Sequence, residues 1–498
     1  MTAERADRET DYRGSVRALS PIDPDGQLVA RSHAGPRRFP DGFLWGAGTS
    51  AYQIEGGIDL DGRQASIWDL FAAAGHARGD TGEPGADHRR RMVDDVALIA
   101  ELGLPAYRFS IAWPRVQPTG AGTVSQAGLD FYRALVDELL AHGVEPIVTL
   151  YHWDLPQTLE NSGGWPARDT AGRFADYAAV VADAIGDRVR RWTTINEPWC
   201  AAMLGYAAGI HAPGRSEPRD AVAAAHHLLL GHGLAMDVLR ARVSGRGLDA
   251  APEIGITLNP YPVVPTTSVS ETTDADRNAV RRIDGLANRL WYDAVLRGVY
   301  PDDVLQDLAS VSDLVHIRDG DLAQIGRPLD ALGLNYYRRH HVRHEPAASA
   351  PPSPWPGSPD VAFADPADTP TSNGWAVEPD GLFDALVRLA TDYDSPPLYV
   401  HESGGAFADV PGDDGRVHDA DRRAYLDAHI RACHDAIAAG VDLRGFFVWS
   451  LLDNFEWAEG YAQRFGIVHV DFATQRRTPK ASALWFRDVI AANGLSGA

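Results

Sequence analysis

The sequence predicts an α/β protein in which eight parallel strands close into one barrel surrounded by helices. Strand-like and helix-like segments alternate eight times between residues 43 and 491. The strand segments are mostly apolar on both faces, as expected for parallel strands covered on both sides. Polar residues follow most of these strands directly, at the end where such a barrel carries its active site. We therefore expect a single (β/α)8 or TIM barrel with long loops at its C-terminal face.

The predicted strands are short apolar segments rich in β-branched and aromatic residues. Eight such units favour a closed barrel over an open doubly wound sheet, which is the structural alternative. The predicted strands cover residues 43–48, 106–113, 145–153, 191–196, 253–259, 331–337, 397–403 and 445–452.

The predicted helices show apolar residues at helical spacing. In the first helix, Val96, Ile99 and Leu102 fall on one stripe. Ser125 is expected to cap the second helix, and Gly143 is expected to end it. The predicted helices cover residues 88–103, 125–142, 170–185, 221–243, 276–297, 381–391, 419–439 and 481–491.

Two parts of the chain depart from this alternation. Residues 1–38 are rich in charge, Gly and Pro, and we expect a flexible N-terminal extension before a catalytic domain at 39–498. Residues 260–273 and 343–371 are rich in Pro, Ser and Thr or Ala. They follow the fifth and sixth strands, so we expect loops above the catalytic end of the barrel.

Composition excludes several classes of partner. The formal net charge of −22 disfavours binding to nucleic acid or to an anionic membrane. No segment is expected to span a membrane. The two cysteines cannot build a disulfide framework, and the polar N-terminal segment lacks the apolar core of a signal peptide. We expect a cytoplasmic location, and the oligomeric state stays open.

The strand ends together carry carboxylates, amides, an imidazole and indoles. Carboxylates and amides suit sugar hydroxyls, and flat aromatic faces suit the apolar face of a pyranose ring. Two of the carboxylates, Glu197 and Glu402, end separate strands, which is the pairing that glycosidic bond cleavage requires. The strand-end residues are Gln53, Arg108, His152, Asn196, Glu197, Asn335, Tyr337, Glu402, Trp449, Glu456 and Trp457.

Seven segments of the chain form an ordered set of motifs. They are FLWGAGTSAYQIEG, AYRFSIAWPR, YHWDLPQ, TINEP, LGLNYY, YVHESGG and FFVWSLLDNFEWAEGYAQRFGI. In this order they resemble glycoside hydrolase family 1, the β-glucosidase family, and the resemblance extends from about Phe39 to Val489.

The resemblance implies a retaining mechanism with no cofactor and no metal. Glu197 would be the acid/base and Glu402 the nucleophile, with their carboxyl groups roughly 5 Å apart. Arg108, Asn335 and Tyr337 would support the nucleophile. The glycone-binding residues would be Gln53, His152, Asn196, Trp449, Glu456 and Trp457, and Trp199 and Trp375 would flank the aglycone. A charged Glu456 would repel a 6-phosphorylated sugar.

The sequence departs from the family pattern around Glu402. The pattern Thr-Glu-Asn-Gly is replaced by His401, Glu402, Ser403 and Gly404, so a titratable imidazole is expected beside the nucleophile.

Some cysteine and histidine residues have simpler structural interpretations. Cys200 is expected to be a small buried apolar residue. The histidines within residues 223–233 are expected to pack on a helix face rather than to bind a metal.

The leading function is an exo-acting β-glucosidase that takes small β-glycosides or short oligosaccharides. The same scaffold could instead serve a β-galactosidase, a β-fucosidase or a transglycosidase. A non-catalytic sugar-binding protein is a remote alternative that the two intact glutamates disfavour.

Overall fold

Eight parallel strands form a closed barrel in the computed structural model, which describes residues 35–248, 250–268, 270–346, 352–364, 366 and 371–496. Each strand pairs with the next along the chain, and the eighth pairs with the first, which closes the ring. The predicted fold class is confirmed. The strands are β1 (Leu44–Gly48), β2 (Ala106–Ser110), β3 (Glu145–Tyr151), β4 (Arg191–Asn196), β5 (Glu253–Leu258), β6 (Ala331–Asn335), β7 (Leu398–Ser403) and β8 (Leu443–Trp449).

Helices connect successive strands and cover the outside of the barrel. The principal helices are α1 (His88–Glu101), α2 (Gln126–Ala141), α3 (Asp169–Ile185), α4 (Pro218–Val243), α5 (Asp274–Asp284), α6 (Leu290–Arg297), α7 (Pro379–Asp392), α8 (Ala420–Ala438) and α9 (Ala481–Ala492). Shorter helical segments are Ala51–Ile54, Ile67–Ala73, Trp113–Val116, Gln157–Glu160, Asp302–Leu308, Asp321–Ile325 and Trp457–Glu459. Wider π-helical turns occupy Cys200–Ala207 and Gly285–Arg289.

The capping prediction for α2 is confirmed. The Ser125 hydroxyl accepts a hydrogen bond from the Gly128 amide at 3.1 Å, and Gly143 follows the helix with a φ of +71°. Two predicted elements are interrupted. The strand expected to reach residue 113 ends at Ser110, because a helical turn with proline near its start begins at Trp113. The helix expected at 276–297 is divided by the π-helical turn between α5 and α6.

The two segments expected to be loops contribute to a small sheet. Val263–Pro265, His340–His344 and Val361–Phe363 form three strands, with His340–His344 in the centre. The prediction of loops at 260–273 and 343–371 was therefore wrong for these strands. Their short length and the surrounding prolines hid them, because strand periodicity needs several residues to show. The sheet lies beyond the C-terminal ends of β5 and β6.

Helix α4 bears on the expectation that no segment spans a membrane. It has 26 residues and is apolar enough to do so by length and composition, yet 83% of its apolar window is buried in the protein. Its histidines face neighbouring elements, as expected. His226 contacts Tyr300 and Asp321, and His232 contacts Thr194. These contacts are those of a helix in the interior of the fold.

The ends of the described chain meet on the outside of the barrel. Arg37–Arg38 forms a two-residue strand antiparallel to Gly494–Leu495. Residues 1–34 of the proposed extension lie outside the described residues, whereas its last residues take part in this pairing.

A buried ionic cluster anchors the segment that follows β8. Lys480, which is 0% exposed, donates to Asp409 at 2.5 Å and to Asp453 at 2.7 Å. Asp453 also accepts hydrogen bonds from Arg464 at 2.6 Å and from the Gly466 amide at 3.1 Å. Because Asp453 precedes Glu456 and Trp457 by only a few residues, this cluster fixes the base of the segment that carries both side chains.

Candidate active site

Arg108 connects two of the polar side chains at the C-terminal end of the barrel. It lies on β2 and is 0% exposed. Its Nη1 donates to Glu402 Oε1 at 2.5 Å, and its Nη2 donates to Asn196 Oδ1 at 2.6 Å. A planar guanidinium can hold both partners at once with fixed geometry. Strands β2, β4 and β7 are thus joined through one side chain.

Glu197 follows β4 and is held by two different donors. Asn335 Nδ2 donates to Glu197 Oε1 at 2.6 Å and to Asn196 Oδ1 at 3.0 Å. Cys200 Sγ donates to Glu197 Oε2 at 2.9 Å. Cys200 is buried as expected, but the interpretation of it as a purely apolar residue was wrong. Sequence spacing did not reveal this contact, because Glu197 precedes the helical turn and has a φ of +47°.

A continuous network joins the two glutamates. It passes from Glu197 through Asn335, Asn196 and Arg108 to Glu402. Asn335 also lowers the pKa of Glu402 by a hydrogen bond, so it serves both carboxyl groups. The two glutamates are 205 positions apart in sequence, and barrel closure brings them to one site.

The two carboxyl groups have different electrostatic surroundings. Burial, together with the negative charge of Glu402, raises the pKa of Glu197 to about 8. Burial also raises the pKa of Glu402, but the adjacent Arg108 guanidinium and a hydrogen bond from Tyr337 at 2.8 Å oppose that rise. A single negative charge is therefore most stable on Glu402, which leaves Glu197 protonated near neutral pH.

The predicted glycone residues form one wall beside this network. His152 stacks on Trp449 and on Trp457, with ring centroids 5.7 and 5.8 Å apart and interplanar angles of 21° and 19°. Gln53 Nε2 donates to the Phe455 carbonyl at 2.9 Å and lies 3.4 Å from Glu456 Oε2. The structure thus places all the predicted glycone side chains at one end of the barrel.

His152 presents a hydrogen-bond donor to the site. Burial lowers its pKa well below the usual range, so the ring is neutral. Its Nε2 faces the Asn196 amide nitrogen at 3.1 Å, and an amide nitrogen can only donate. The ring proton therefore belongs on Nδ1, which has no hydrogen-bond partner among the residues that the structure describes.

Glu456 has a higher pKa than the sequence suggested. Burial and the negative charges of Glu402 and Glu197 raise its pKa to about 8. Repulsion of a 6-phosphorylated sugar by Glu456 is therefore expected only above this pKa, where the carboxyl group is ionised.

Three non-glycine residues at the site adopt left-handed backbone conformations. Trp153, Glu197 and Trp457 have φ values of +77°, +47° and +51°. Such conformations cost roughly 1–3 kcal/mol each and persist where surrounding contacts enforce them. The Trp153 indole supplies one such contact by donating to the Asn196 carbonyl at 2.9 Å.

Two groups of aromatic residues lie near the carboxylates. Trp199 packs against Tyr261 and Trp355, with ring centroids 5.6 and 5.0 Å apart. In the second group, Trp375 packs against Tyr337 with ring centroids 5.5 Å apart. Sequence reasoning missed Tyr261 and Trp355, and the only signal for Trp355 was a lone tryptophan in a proline-rich segment.

The unusual residues around Glu402 face away from its oxygens. His401 Nδ1 contacts the Thr257 hydroxyl at 2.8 Å inside the barrel, and burial lowers the pKa of His401 well below its usual range. The Ser403 hydroxyl lies 3.3 Å from the Tyr425 hydroxyl. His401 is therefore uncharged near neutral pH.

Comparison with known proteins extends over nearly the whole chain. Residues 36–495 match the model of glycosyl hydrolase family 1. The chain is 51% identical over 475 residues to thermostable β-glucosidase B of Thermobispora bispora, covering 94% of each chain. It is 46% identical over 466 residues to a bifunctional β-D-glucosidase/β-D-fucosidase of Bifidobacterium breve, covering 91% of this chain and 98% of that one.

A solved structure is also similar to this chain over nearly its whole length. The family 1 β-glucosidase from Thermotoga maritima superposes with a TM-score of 0.86 at 42% identity, covering 93% of this chain and 99% of that one. The same Thermotoga enzyme has been solved in complex with glucoimidazole. The chain belongs to glycosyl hydrolase family 1 and is a glycoside hydrolase.

Proposed function

We propose that this protein is an exo-acting, retaining β-glucosidase in which Glu197 is the acid/base and Glu402 the nucleophile. The observation that carries the proposal is the network between the two glutamates, which leaves Glu197 protonated and favours an ionised Glu402. A retaining glycosidase needs this division between its carboxyl groups at the start of the reaction.

The first step would form a glycosyl-enzyme. A Glu402 oxygen bonds to C1 of the sugar while the bond from C1 to the aglycone oxygen breaks. The Glu197 proton moves to that oxygen, so the aglycone leaves as a neutral alcohol. Arg108 and Tyr337 hold the Glu402 carboxylate in position, and Asn196 lies beside it for the sugar 2-hydroxyl.

The second step would restore the enzyme. Glu197, now ionised, takes a proton from a water molecule as the water oxygen bonds to C1. The bond between C1 and Glu402 breaks, and Glu402 returns to its carboxylate form. Two displacements at C1 retain the β configuration. The indoles of Trp449 and Trp457, which both stack on the His152 ring, would hold the glycone through both steps together with the His152 Nδ1 donor.

Azide rescue tests the two assignments separately. Glu402→Gly should abolish hydrolysis of an aryl β-glucoside, and azide should restore turnover with an α-glucosyl azide as product. Glu197→Ala with an activated aryl glucoside should give the β-glucosyl azide instead, because the nucleophile is intact. Glu459→Gln, a surface change on the same segment, is the control. Near wild-type turnover by Glu402→Gly would refute the proposal.

A β-fucosidase activity is the second candidate. The Bifidobacterium breve relative is named for both β-D-glucosidase and β-D-fucosidase activities, and it covers 91% of this chain. Purified protein should be assayed on aryl β-glucosides, β-galactosides, β-fucosides and 6-phospho-β-glucosides, with chromatography of the products. A higher kcat/KM for the fucoside would replace the glucoside assignment, and oligosaccharide products would indicate transglycosylation.

A further inference from the structure

Cys200 contacts the proposed acid/base directly, unlike the other cysteine. Its Sγ lies 2.9 Å from Glu197 Oε2, and Asn259 Nδ2 donates to the same sulfur at 3.5 Å. Cys433 is also buried, but it lies on α8, and burial alone raises its pKa. The two thiols are therefore matched in burial and differ in their polar surroundings.

The two oxygens of Glu197 have partners of different chemistry. Asn335 Nδ2 donates to Oε1 at 2.6 Å, and because an amide N–H cannot accept, Oε1 must remain an acceptor. A thiol is a weak donor and also a weak acceptor, so it can face either a carboxylate oxygen or a carboxyl O–H. The proton of Glu197 therefore belongs on Oε2, beside the sulfur.

The thiol keeps its own proton in this environment. Burial and the negative charge of Glu197 raise the pKa of Cys200 well above its usual value. Cys200 therefore stays an S–H group throughout the working range, and the Asn259 amide donates to its sulfur from the other side. The sulfur accepts from Oε2–H when Glu197 is protonated, and the S–H group donates to Oε2 when Glu197 is ionised. A thiolate nucleophile is not available here.

We propose that Cys200 is a positioning residue for the acid/base, holding the transferable proton of Glu197 on Oε2 and stabilising the carboxylate once the proton has left. This inference rests on the acid/base role proposed above. In the first step, Oε2–H gives its proton to the aglycone oxygen. In the second, the S–H group donates to the Oε2 carboxylate while Glu197 accepts a proton from water.

Other charged and titratable groups also face Glu197 and set the background for any pH effect. They come from β2, from β7 and from the segments after β5, β6 and β8. These groups are Arg108, Glu402, Tyr261, Tyr337 and Glu456. All of them remain in the chain when Cys200 is replaced, so comparing Cys200→Val with Cys200→Ser isolates the loss of the donor.

The pH dependence of kcat/KM tests the proposal. The alkaline limb reports loss of the Glu197 proton in the free enzyme. Removing a donor to the carboxylate should raise that pKa, so Cys200→Val should move the alkaline limb upward by about half a pH unit. Cys200→Ser restores an O–H donor and should return the limb to the wild-type position or below. Cys433→Val should leave it unchanged.

The position of this limb does not depend on the amount of active enzyme, so partial misfolding of a variant does not mask the result. An alkaline limb of Cys200→Val that coincides with the wild type, while Glu197→Ala fails to hydrolyse an unactivated β-glucoside without azide, would overturn the role of Cys200 alone. Near wild-type hydrolysis of that substrate by Glu197→Ala without azide would instead overturn the proposed function.

A spectroscopic measurement provides a second test without changing Cys200. The Cys433→Val variant has a single S–H stretching band, from Cys200. That band should shift to lower frequency as Glu197 ionises between about pH 6 and pH 9, because the hydrogen bond becomes charge-assisted. The shift should disappear when Glu197→Gln is added. If the Cys200 band of the Cys433→Val variant keeps the same frequency as Glu197 ionises, the proposal is contradicted.

Discussion

Arg108 and Glu402 form an ion pair of 2.5 Å in which neither side chain is more than 3% exposed. The guanidinium opposes the effect of burial on the Glu402 pKa and also fixes the orientation of Asn196. One arginine therefore sets both the charge of the proposed nucleophile and the position of the amide expected at the sugar 2-hydroxyl.

Replacing Arg108 with methionine should make the proposed nucleophile harder to ionise. An adjacent guanidinium lowers a carboxyl pKa by about 1–3 units, so the acid limb of kcat/KM should rise by a similar amount. The pH profile of kcat/KM on an aryl glucoside measures this shift. Arg191→Met, which changes an arginine at the opposite end of the same barrel, should leave the limb in place. An unmoved acid limb in Arg108→Met would contradict the role of the ion pair.

Trp375 should contribute to aglycone binding without affecting the glycone. It packs edge-to-face against Tyr337, which donates to the proposed nucleophile Glu402. Loss of one aromatic contact costs on the order of 1 kcal/mol, so Trp375→Ala should raise KM for an aryl β-glucoside about 5- to 10-fold. Inhibition by glucose should be unchanged. Equal weakening of both would place Trp375 at the glycone instead.

Asp154 should make the protein less stable as pH rises. Burial raises its pKa from 3.8 to about 8, and neither oxygen has a partner in another described residue. Folding thus favours the protonated form, so its contribution is complete below about pH 4 and is lost as pH rises towards 8. Asp154→Asn should remove this loss. Its melting temperature should exceed that of the wild type at pH 9 more than at pH 5.

A surface control distinguishes burial from the substitution itself. Asp442→Asn changes a carboxylate that is 57% exposed and should give parallel stability curves with the wild type. If Asp154→Asn and the wild type also run in parallel from pH 5 to pH 9, Asp154 does not bind the proton inferred for it.

Lys480 should be essential for stability. Replacing it with methionine leaves the buried carboxylates of Asp409 and Asp453 without their ammonium partner, at a cost of roughly 3–5 kcal/mol. Arg444→Met breaks an exposed pair with Asp442 and should cost about 1 kcal/mol or less. Thermal unfolding of both variants measures the difference. Equal melting temperatures would show that the buried cluster contributes no more than the exposed pair.

The barrel and the position of its two central glutamates could be predicted from the sequence. Residues 192–195 form an apolar, β-branched run that stops at Asn196 and Glu197, and β4 ends at Asn196 as predicted. Glu402 likewise ends a recognisable apolar run. These positions are predictable because strand periodicity and barrel geometry together fix where each strand delivers its last side chains.

The remaining features depend on contacts between distant segments. Trp355 lies in a proline-rich segment without periodicity, so nothing local indicates that it packs against Trp199. The neutral state of Glu456 depends on the charges of Glu402 and Glu197, which only folding brings near it. The thiol contact of Cys200 depends on the helical phase after Glu197. Side-chain partners of this kind follow from three-dimensional packing rather than from composition or spacing.

The buried position of Lys480 also determines how this protein reacts with amine reagents. It is the single lysine of the sequence, and its side chain is 0% exposed. Acylating labels and aldehyde supports, which couple through lysine amines, therefore find no lysine on the surface of the folded protein. Labelling at Lys480 requires its cluster with Asp453 to open, so the extent of labelling reports how often the segment carrying Glu456 and Trp457 is released.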